Sequence, residues 1–392
     1  MGKNYHKLSD ICTRITDGSH FSPKEDADGQ YPMLSVKDMA AYGFDYSNCK
    51  YINEDDYKML VANGCRPSIN DVLVAKDGSY LKTAFVQIED VEQAILSSIA
   101  ILKPQTEIIN PFFLAYFFKA PHTKAVVEKH YLTGTAIKRV ILKGFKQILI
   151  PVPSLAEQER IVAELDLLTG IIDKQKQQFK ELDNLAQSIF YDMFGDPVMN
   201  EKGWQVKTFG EVGTLQRGSG LSKKDLTERG FPCILYGQIH TRFGEFADSH
   251  IACIPTEFVH TAKIAHHNDV IMAITSEDIE GSCKSTAWMG DYDIAIGSDA
   301  AIYHHAQNGI YVSFYTKTKA FYDEKAKYAR GFKVTHISTK EIAQIPLPIP
   351  PISLQNSFAE KIKTIESQKA SIKRSIAETQ KLFDYTMDKY FG

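Results

Sequence analysis

One proline-bounded helix start is written twice in this chain. "IPVPSLAEQERIVAELD" begins at Ile150 and "LPIPPISLQNSFAEKIK" at Leu347. A shift of 197 positions superposes them without a gap. It lays Tyr131 on Tyr328, Gly134 on Gly331, Lys143 on Lys340, Gln158 on Gln355 and Phe194-Gly195 on Phe391-Gly392. Pro151 and Pro153 fall on Pro348 and Pro350. Upstream the likeness is weaker but keeps its order: "NDVLVAKDG" matches "NDVIMAITS", "KTAFV" matches "STAWM", and "KLSDICTRITDGS" matches "TFGEVGTLQRGSG". A repeat of this length means one supersecondary plan used twice.

Each copy opens extended, because a residue before proline avoids the helical region. Ser154 and Ser353 are the predicted caps of the helices that follow. Apolar residues then step by four and three in the first copy: Ile161, Leu165, Leu168, Ile172, Phe179 and Leu182. In the second copy the corresponding seam holds Ile362, Ile365, Ile372, Ile376 and Phe383. The step of 3.5 predicts a coiled-coil seam, narrow enough for a single partner helix. About 40 residues of helix span about 60 Å. Connectivity requires the two to pair antiparallel within the chain. A register with Ile161 facing Tyr390 sets Leu182 against Lys369 and Gln175 against Ile376, so the polar members are expected to pin register.

Between these segments lie two variable modules built of short β-branched and aromatic runs punctuated by turns, each closing on a helical stretch. The expected fold class is therefore α+β. Two similar, mostly antiparallel modules are separated by two long antiparallel coiled-coil helices, related by a pseudo-two-fold internal repeat. The expected boundaries are 1–153 and 196–350 for the modules, and 154–195 and 351–392 for the helices.

A length of 392 residues suits two domains. No apolar run reaches the length of a membrane span, and the first residues lack a secretory core, so a cytoplasmic location is expected. The six cysteines form no CxxC pair and read as reduced, buried small hydrophobes. Catalytic patterns are missing. "NPFF" at Asn110 reads as a helix start with proline in the first turn, and "RGSG" at Arg217 as a turn rather than a phosphate cradle. The pairs His266-His267 and His304-His305 would point to opposite faces of a strand, which does not suit joint metal ligation. No catalytic residue, metal or cofactor is expected in this chain.

Binding fits better. The net charge of −3 announces no polyanion partner, so a nucleic-acid site must gather its cations locally. Turn-flanked basic and amide residues recur at comparable places in both modules. They are His20, Lys24, Lys76, Lys82, Lys138 and Arg139 in the first, and Arg217, Lys223, Lys224, Gln238, His240, Arg242, Lys284, Arg330 and Lys333 in the second. These residue types clamp phosphates and read base edges.

With "IPVPSLAEQERIVAELD", the helix end "QSIFYDMFGDP" and "KGW…FGEVG" opening the second module, the chain resembles the specificity (S) subunit of type I restriction-modification systems. The second copy departs from the pattern, with Leu354 and Asn356 where Glu157 and Glu159 stand. The resemblance implies a non-catalytic, sequence-specific subunit that binds double-stranded DNA. Its modules are then target recognition domains, each reading one half of a bipartite site. The helices act as a ruler and dock two modification (methyltransferase) subunits, which carry S-adenosylmethionine and methylate adenine at N6. Restriction (translocase/nuclease) subunits are further partners. The competing expectation is a two-headed coiled-coil scaffold that does not touch DNA.

Overall fold

A computed structural model describes residues 4–78, 80–134, 138–329 and 334–392. The chain forms two compact units, Met1–Gln175 with Ser375–Gly392, and Lys176–Arg374. Two helices of 40 residues, Leu155–Phe194 and Ile352–Phe391, each contribute to both. No helix among the described residues is long and apolar enough to cross a membrane.

In the first unit, Tyr5–Lys7 pairs antiparallel with Leu149–Pro151. A four-stranded antiparallel sheet runs in the order Cys12–Asp17, Ile99–Pro104, Val72–Ala75, Ala84–Val86. Its third strand reads Val-Leu-Val-Ala and is fully buried, as expected of β-branched residues packed on both faces. A second sheet is ordered Lys50–Ile52, Tyr31–Leu34, Ala94–Ile95, the last pair parallel. Helices Pro111–Lys119 and Pro121–His130 follow.

The second unit repeats this plan. Gln205–Thr208 pairs with Pro346–Ile349. The larger sheet runs Gly213–Arg217, Ala300–His305, Val270–Ala273, Lys284–Trp288, Phe246–Ala247. The smaller runs Cys253–Ile254, Phe231–Ile234, Ile294–Ile296, Lys263–Ala265. Helices Gly309–Tyr315 and Lys319–Ala326 close it. All six cysteines are buried free thiols, and burial pushes the Cys12, Cys233 and Cys283 thiols up to about 12.

The glutamine shared by the two helix starts has a complete account. Gln158 accepts from the Asn110 N–H at 2.7 Å through Oε1 and donates to the carbonyls of Ile108 and Pro153. Gln355 accepts from the Asn308 N–H at 2.9 Å and donates to Gln307 Oε1 and the Pro350 carbonyl. Both are 0% exposed. Asn110 and Asn308 in turn cap the next helix, each accepting from two backbone N–H groups. "NPFF" is thus a helix start, and the shared residue is its asparagine. Ser154 caps the first long helix as expected, accepting from the Glu157 N–H at 3.3 Å. Ser353 does not cap the second. That helix begins at Ile352, and the residue at the position equivalent to Ser154 is Pro351.

Inside each unit the long-helix segments pair antiparallel. In the first, Arg160 donates to the Tyr390 hydroxyl at 3.0 Å and Gln175 donates to Ser375 Oγ at 2.7 Å. In the second, Lys369 meets Asp183 at 2.7 Å and lies over the Phe179 ring. The Arg160–Tyr390, Gln175–Ser375 and Lys369–Asp183 contacts follow the expected register to within one residue. The seam expectation needs one correction. Ile161, Leu165, Leu168, Ile172, Ile362 and Ile365 are buried, but Phe179, Leu182, Ile372, Ile376 and Phe383 are half-buried. A second row, Phe190, Phe194, Met387 and Phe391, is buried outside the expected stripe. The cause is packing on more than one side. Phe391 lies 5.1 Å from Phe113, and Phe190 lies 5.3 Å from Phe314 and 5.6 Å from Phe358. Each helix end therefore belongs to the core of its unit, and burying such a ring stabilises by about 2–3 kcal/mol.

Candidate nucleic-acid interface

In the second unit a cleft of about 1890 Å³ gathers Lys223, Gln238, His240, Arg242 and Lys284 from three separate stretches of sequence. Lys223 comes from the short turn Lys223–Asp225, and Gln238 and His240 from the helix Tyr236–Thr241. Arg242 follows that helix, and Lys284 opens the strand Lys284–Trp288. Gly218 allows the wall to close. A Cβ there would stand 2.0 Å from the Gly297 carbonyl oxygen, so only glycine fits. Gly18 holds the same place in the first unit, 2.1 Å from the Ile95 oxygen. "RGSG" is accordingly a turn with a close backbone approach.

These cations are not equally free. Lys284 donates to the His240 carbonyl at 2.9 Å, and burial together with nearby Lys317 pushes its ammonium below the usual lysine range. His240 donates from Nε2 to the Thr275 carbonyl at 3.2 Å. Arg217 donates to the Ser298 carbonyl at 3.0 Å and lies 3.5 Å from Asp299. Lys223, Lys224 and Arg242 are exposed and make no ion pair among the described residues. The cleft therefore offers exposed cations at Lys223 and Arg242, hydrogen-bonded polar groups at Gln238 and His240, and the half-exposed Tyr236 ring 6.1 Å from His240. Such a mixture suits a polyanion carrying flat, hydrogen-bonding bases.

Sequence reasoning missed Lys317, Lys319, Tyr322 and Lys325, which line the same cleft. They sit in a stretch legible only as a closing helix. Lys317 pairs with Glu245 at 2.7 Å and Lys319 with Asp323 at 2.6 Å. Lys325 is buried, donates to the Glu280 carbonyl at 2.9 Å and to that of Ser282, and is held below its usual range by desolvation. Acidic Glu277 and Asp278 also reach the cleft, and nothing in their loop marked them as such.

The first unit places its candidates differently. Lys76 is a correction: it is 5% exposed, with Nζ 3.0 Å from Asp17 and 3.6 Å from Asp77, so it serves the fold and not a passing phosphate. Burial of a lysine requires such a partner. Around this pair stand His20, 3.5 Å from Asp17, and Arg139, whose backbone bridges Asp77. Lys138 adds its carbonyl, which accepts from the Gly78 N–H. His20, Lys138 and Arg139 are exposed. Lys24 is exposed on the loop between the first two strands of this unit's sheets. Lys82 lines a separate hollow of about 390 Å³ with Tyr42, Tyr116 and Lys119. Arg330 and Lys333 lie outside the described residues.

Comparison with known proteins gives this arrangement its context. Residues 2–184 match the family model of the type I restriction modification DNA specificity domain. The MjaVIII specificity subunit of Methanocaldococcus jannaschii is 25% identical over 370 residues, covering 88% of this chain and 81% of that protein. The EcoBI specificity subunit of Escherichia coli is 30% identical over 129 residues, 32% of this chain and 27% of that one. The fold is shared with the S subunit of a type I restriction-modification system from M. genitalium, at a TM-score of 0.58 and 15% identity. That match spans 100% of this chain and 96% of the other. Residues 2–184 thus match a type I restriction modification DNA specificity domain, and over most of its length the chain is similar to specificity subunits of type I restriction-modification systems and shares their fold.

Proposed function

We propose that each unit of this subunit reads one half of a bipartite duplex site. Recognition domains spanning 1–153 and 196–350 do the reading, and helices 154–195 and 351–392 set the half-site distance. The observation that carries this is unequal repetition. The buried glutamine clamp recurs at Gln158 and Gln355 with two of its three bonds in common, while the loops at the strand ends differ in length, charge and chemistry. One scaffold bearing two unlike reading surfaces is what an asymmetric, split site requires. Readers on one face of DNA sit about one helical turn (~34 Å) or a little more apart, a distance within reach of helices about 60 Å long.

In this reading the helices also dock two modification subunits, which bring S-adenosylmethionine and transfer its methyl group to adenine N6. Restriction subunits can join that assembly. The subunit itself contributes no cofactor, and it works where chromosomal DNA lies, in the cytoplasm. The partners supply the positive charge that a chain of net −3 lacks, so the lone chain binds DNA weakly and the assembly binds tightly and salt-dependently.

Methylome sequencing of a strain whose residues 196–350 are exchanged for those of a related subunit tests the division of labour. One half-site changes if each domain reads its own half. A change in both halves, or in neither, overturns the proposal.

A further inference from the structure

One capping box in the second unit differs in its chemistry from the other four among the described residues. At four short helical turns a carboxylate three residues into the turn accepts from the cap residue's N–H. Asp38 does so from Ser35 at 2.7 Å, Glu211 from Thr208 at 2.6 Å, Asp225 from Ser222 at 2.7 Å and Glu341 from Ser338 at 2.8 Å. At the fifth, Gln238 Oε1 accepts from the Leu235 N–H at 2.9 Å. A neutral amide is the weaker partner for a helix N-terminus, where negative charge is favoured. Its repeat counterpart is Asp38, which is 6% exposed and also accepts from the Ser35 hydroxyl. Gln238 instead lines the cleft.

The exchange has a chemical consequence. A carboxylate at this position would turn an acceptor and a negative charge toward the cleft. The amide satisfies the cap with its oxygen and turns its NH₂ outward, and Nε2 has no partner among the described residues. The orientation is not open to reversal, because the Leu235 N–H requires an acceptor. We propose that Gln238 determines specificity in the second unit by donation alone, its amide locked by the cap so that only Nε2 reads the base. The inference rests on the cleft being the DNA-reading surface. Reading adenine with both amide atoms would need Oε1 for the N6 amino group, and Oε1 is engaged. The bases suited to a lone donor in the major groove are guanine, through O6 or N7, thymine, through O4, and adenine, through N7 alone. Cytosine, which presents only its N4 amino donor there, is rejected.

The decisive variant is Gln238→Glu. It keeps the cap, as Glu211 and Glu341 show, and reverses the hydrogen-bonding sense of the group that faces the cleft. The full chain, assembled with its modification partner, is used to select from a pool of duplexes randomised in sequence. The wild type is expected to enrich guanine, thymine or adenine and to exclude cytosine at one position of one half-site. Gln238→Glu should admit cytosine and exclude guanine and thymine at that position, and leave the other half-site untouched. Gln238→Ala should lower discrimination there about 3- to 10-fold, the effect of one hydrogen bond. An unchanged consensus for Gln238→Glu overturns the proposal. If that variant binds no duplex, Gln238→Ala decides: degeneracy at a single position supports the proposal, and an unchanged consensus overturns it. The double variant Lys223→Ala/Arg242→Ala separates this from the wider reading. Weakened binding with a shallower salt dependence keeps the cleft as the DNA surface even where Gln238 proves silent. No change in binding removes the cleft reading, and this proposal with it.

Discussion

At the end of its central strand the first unit buries Lys76 against Asp17, whereas the second places buried Ile274 there and carries its cation outward to Lys284. The Lys103–Asp71 ion pair of one unit, at 2.6 Å, becomes the His304–Asp269 pair of the other, at 2.8 Å. Asp38 in one unit is Gln238 in the other. By contrast, the glutamines at 158 and 355 with their bonds to the asparagine N–H and the proline carbonyl, the caps at Asn110 and Asn308, and the crowded glycines at 18 and 218 recur in both. The difference teaches where this fold tolerates change. Groups whose every hydrogen bond is internal cannot vary singly, because an orphaned buried partner costs about 1–3 kcal/mol. At the strand ends the units have diverged by changing both partners together: Lys76 and Asp17 of one unit are Ile274 and Arg217 of the other, and Arg217 turns to Asp299 instead.

The comparison breaks most clearly at the helix ends. Phe190 and Met387 occupy equivalent repeat positions, one in each unit, and are 0% and 1% exposed. Phe190→Ala should destabilise the second unit by about 3–5 kcal/mol and Met387→Ala the first by about 2–4 kcal/mol. Urea unfolding followed by hydrogen exchange in each unit would report this, and a loss confined to the helices would show that the cores do not extend into them.

Acid should separate the units next. Burial lowers the His305 imidazole from 6.5 to about 4, and its repeat counterpart is Pro104, which does not titrate. The unfolded chain therefore takes up a proton that the folded unit refuses. His305 stability is complete above pH 6.5 and is lost as pH falls toward about 4, some ~3 kcal/mol in all. Buried Asp269 works in the opposite sense. Its carboxyl is held above 3.8, so the folded unit keeps a proton that the unfolded chain releases, and its contribution declines as pH rises past that value. Unfolding of the second unit between pH 7 and 4.5 should thus ease, and His305→Leu should flatten that dependence. An equal response from the first unit would remove the distinction.

The smallest expected effect sharpens the likeness instead. Gln158→Ala and Gln355→Ala should each cost about 2 kcal/mol, one in each unit, because each orphans buried backbone groups. Thermal melts showing one substitution to be neutral would mean that the two clamps do not carry equal loads.

Much of this was legible in the residues. The repeat, the Ser154 cap, the antiparallel register and the helix start at "NPFF" follow from spacing, because periodicity and capping are local properties, whereas the asparagine caps shared by both units did not show. The candidate interface was half legible. "YGQIH" and "GSCKS" supplied Gln238, His240 and Lys284, yet Lys317 and Tyr322 were hidden in what reads as a closing helix. Lys76 was misplaced, since no sequence signal separates a lysine facing solvent from one neutralised by an aspartate far back in the chain. Phe190 and Phe194 escaped the heptad pattern because a stripe describes one partner, and these helix ends have two.

By itself the sequence determined that the chain is a duplicated α+β plan joined by long paired helices, for these features are encoded within a few turns or a single hairpin. Which cations remain free, which glutamine faces a cleft and which helix face is buried were decided only by tertiary structure. Each depends on the burial and hydrogen-bond partners that distant segments bring to one place, and the energy of a polar group is set by that surrounding rather than by its neighbours along the chain.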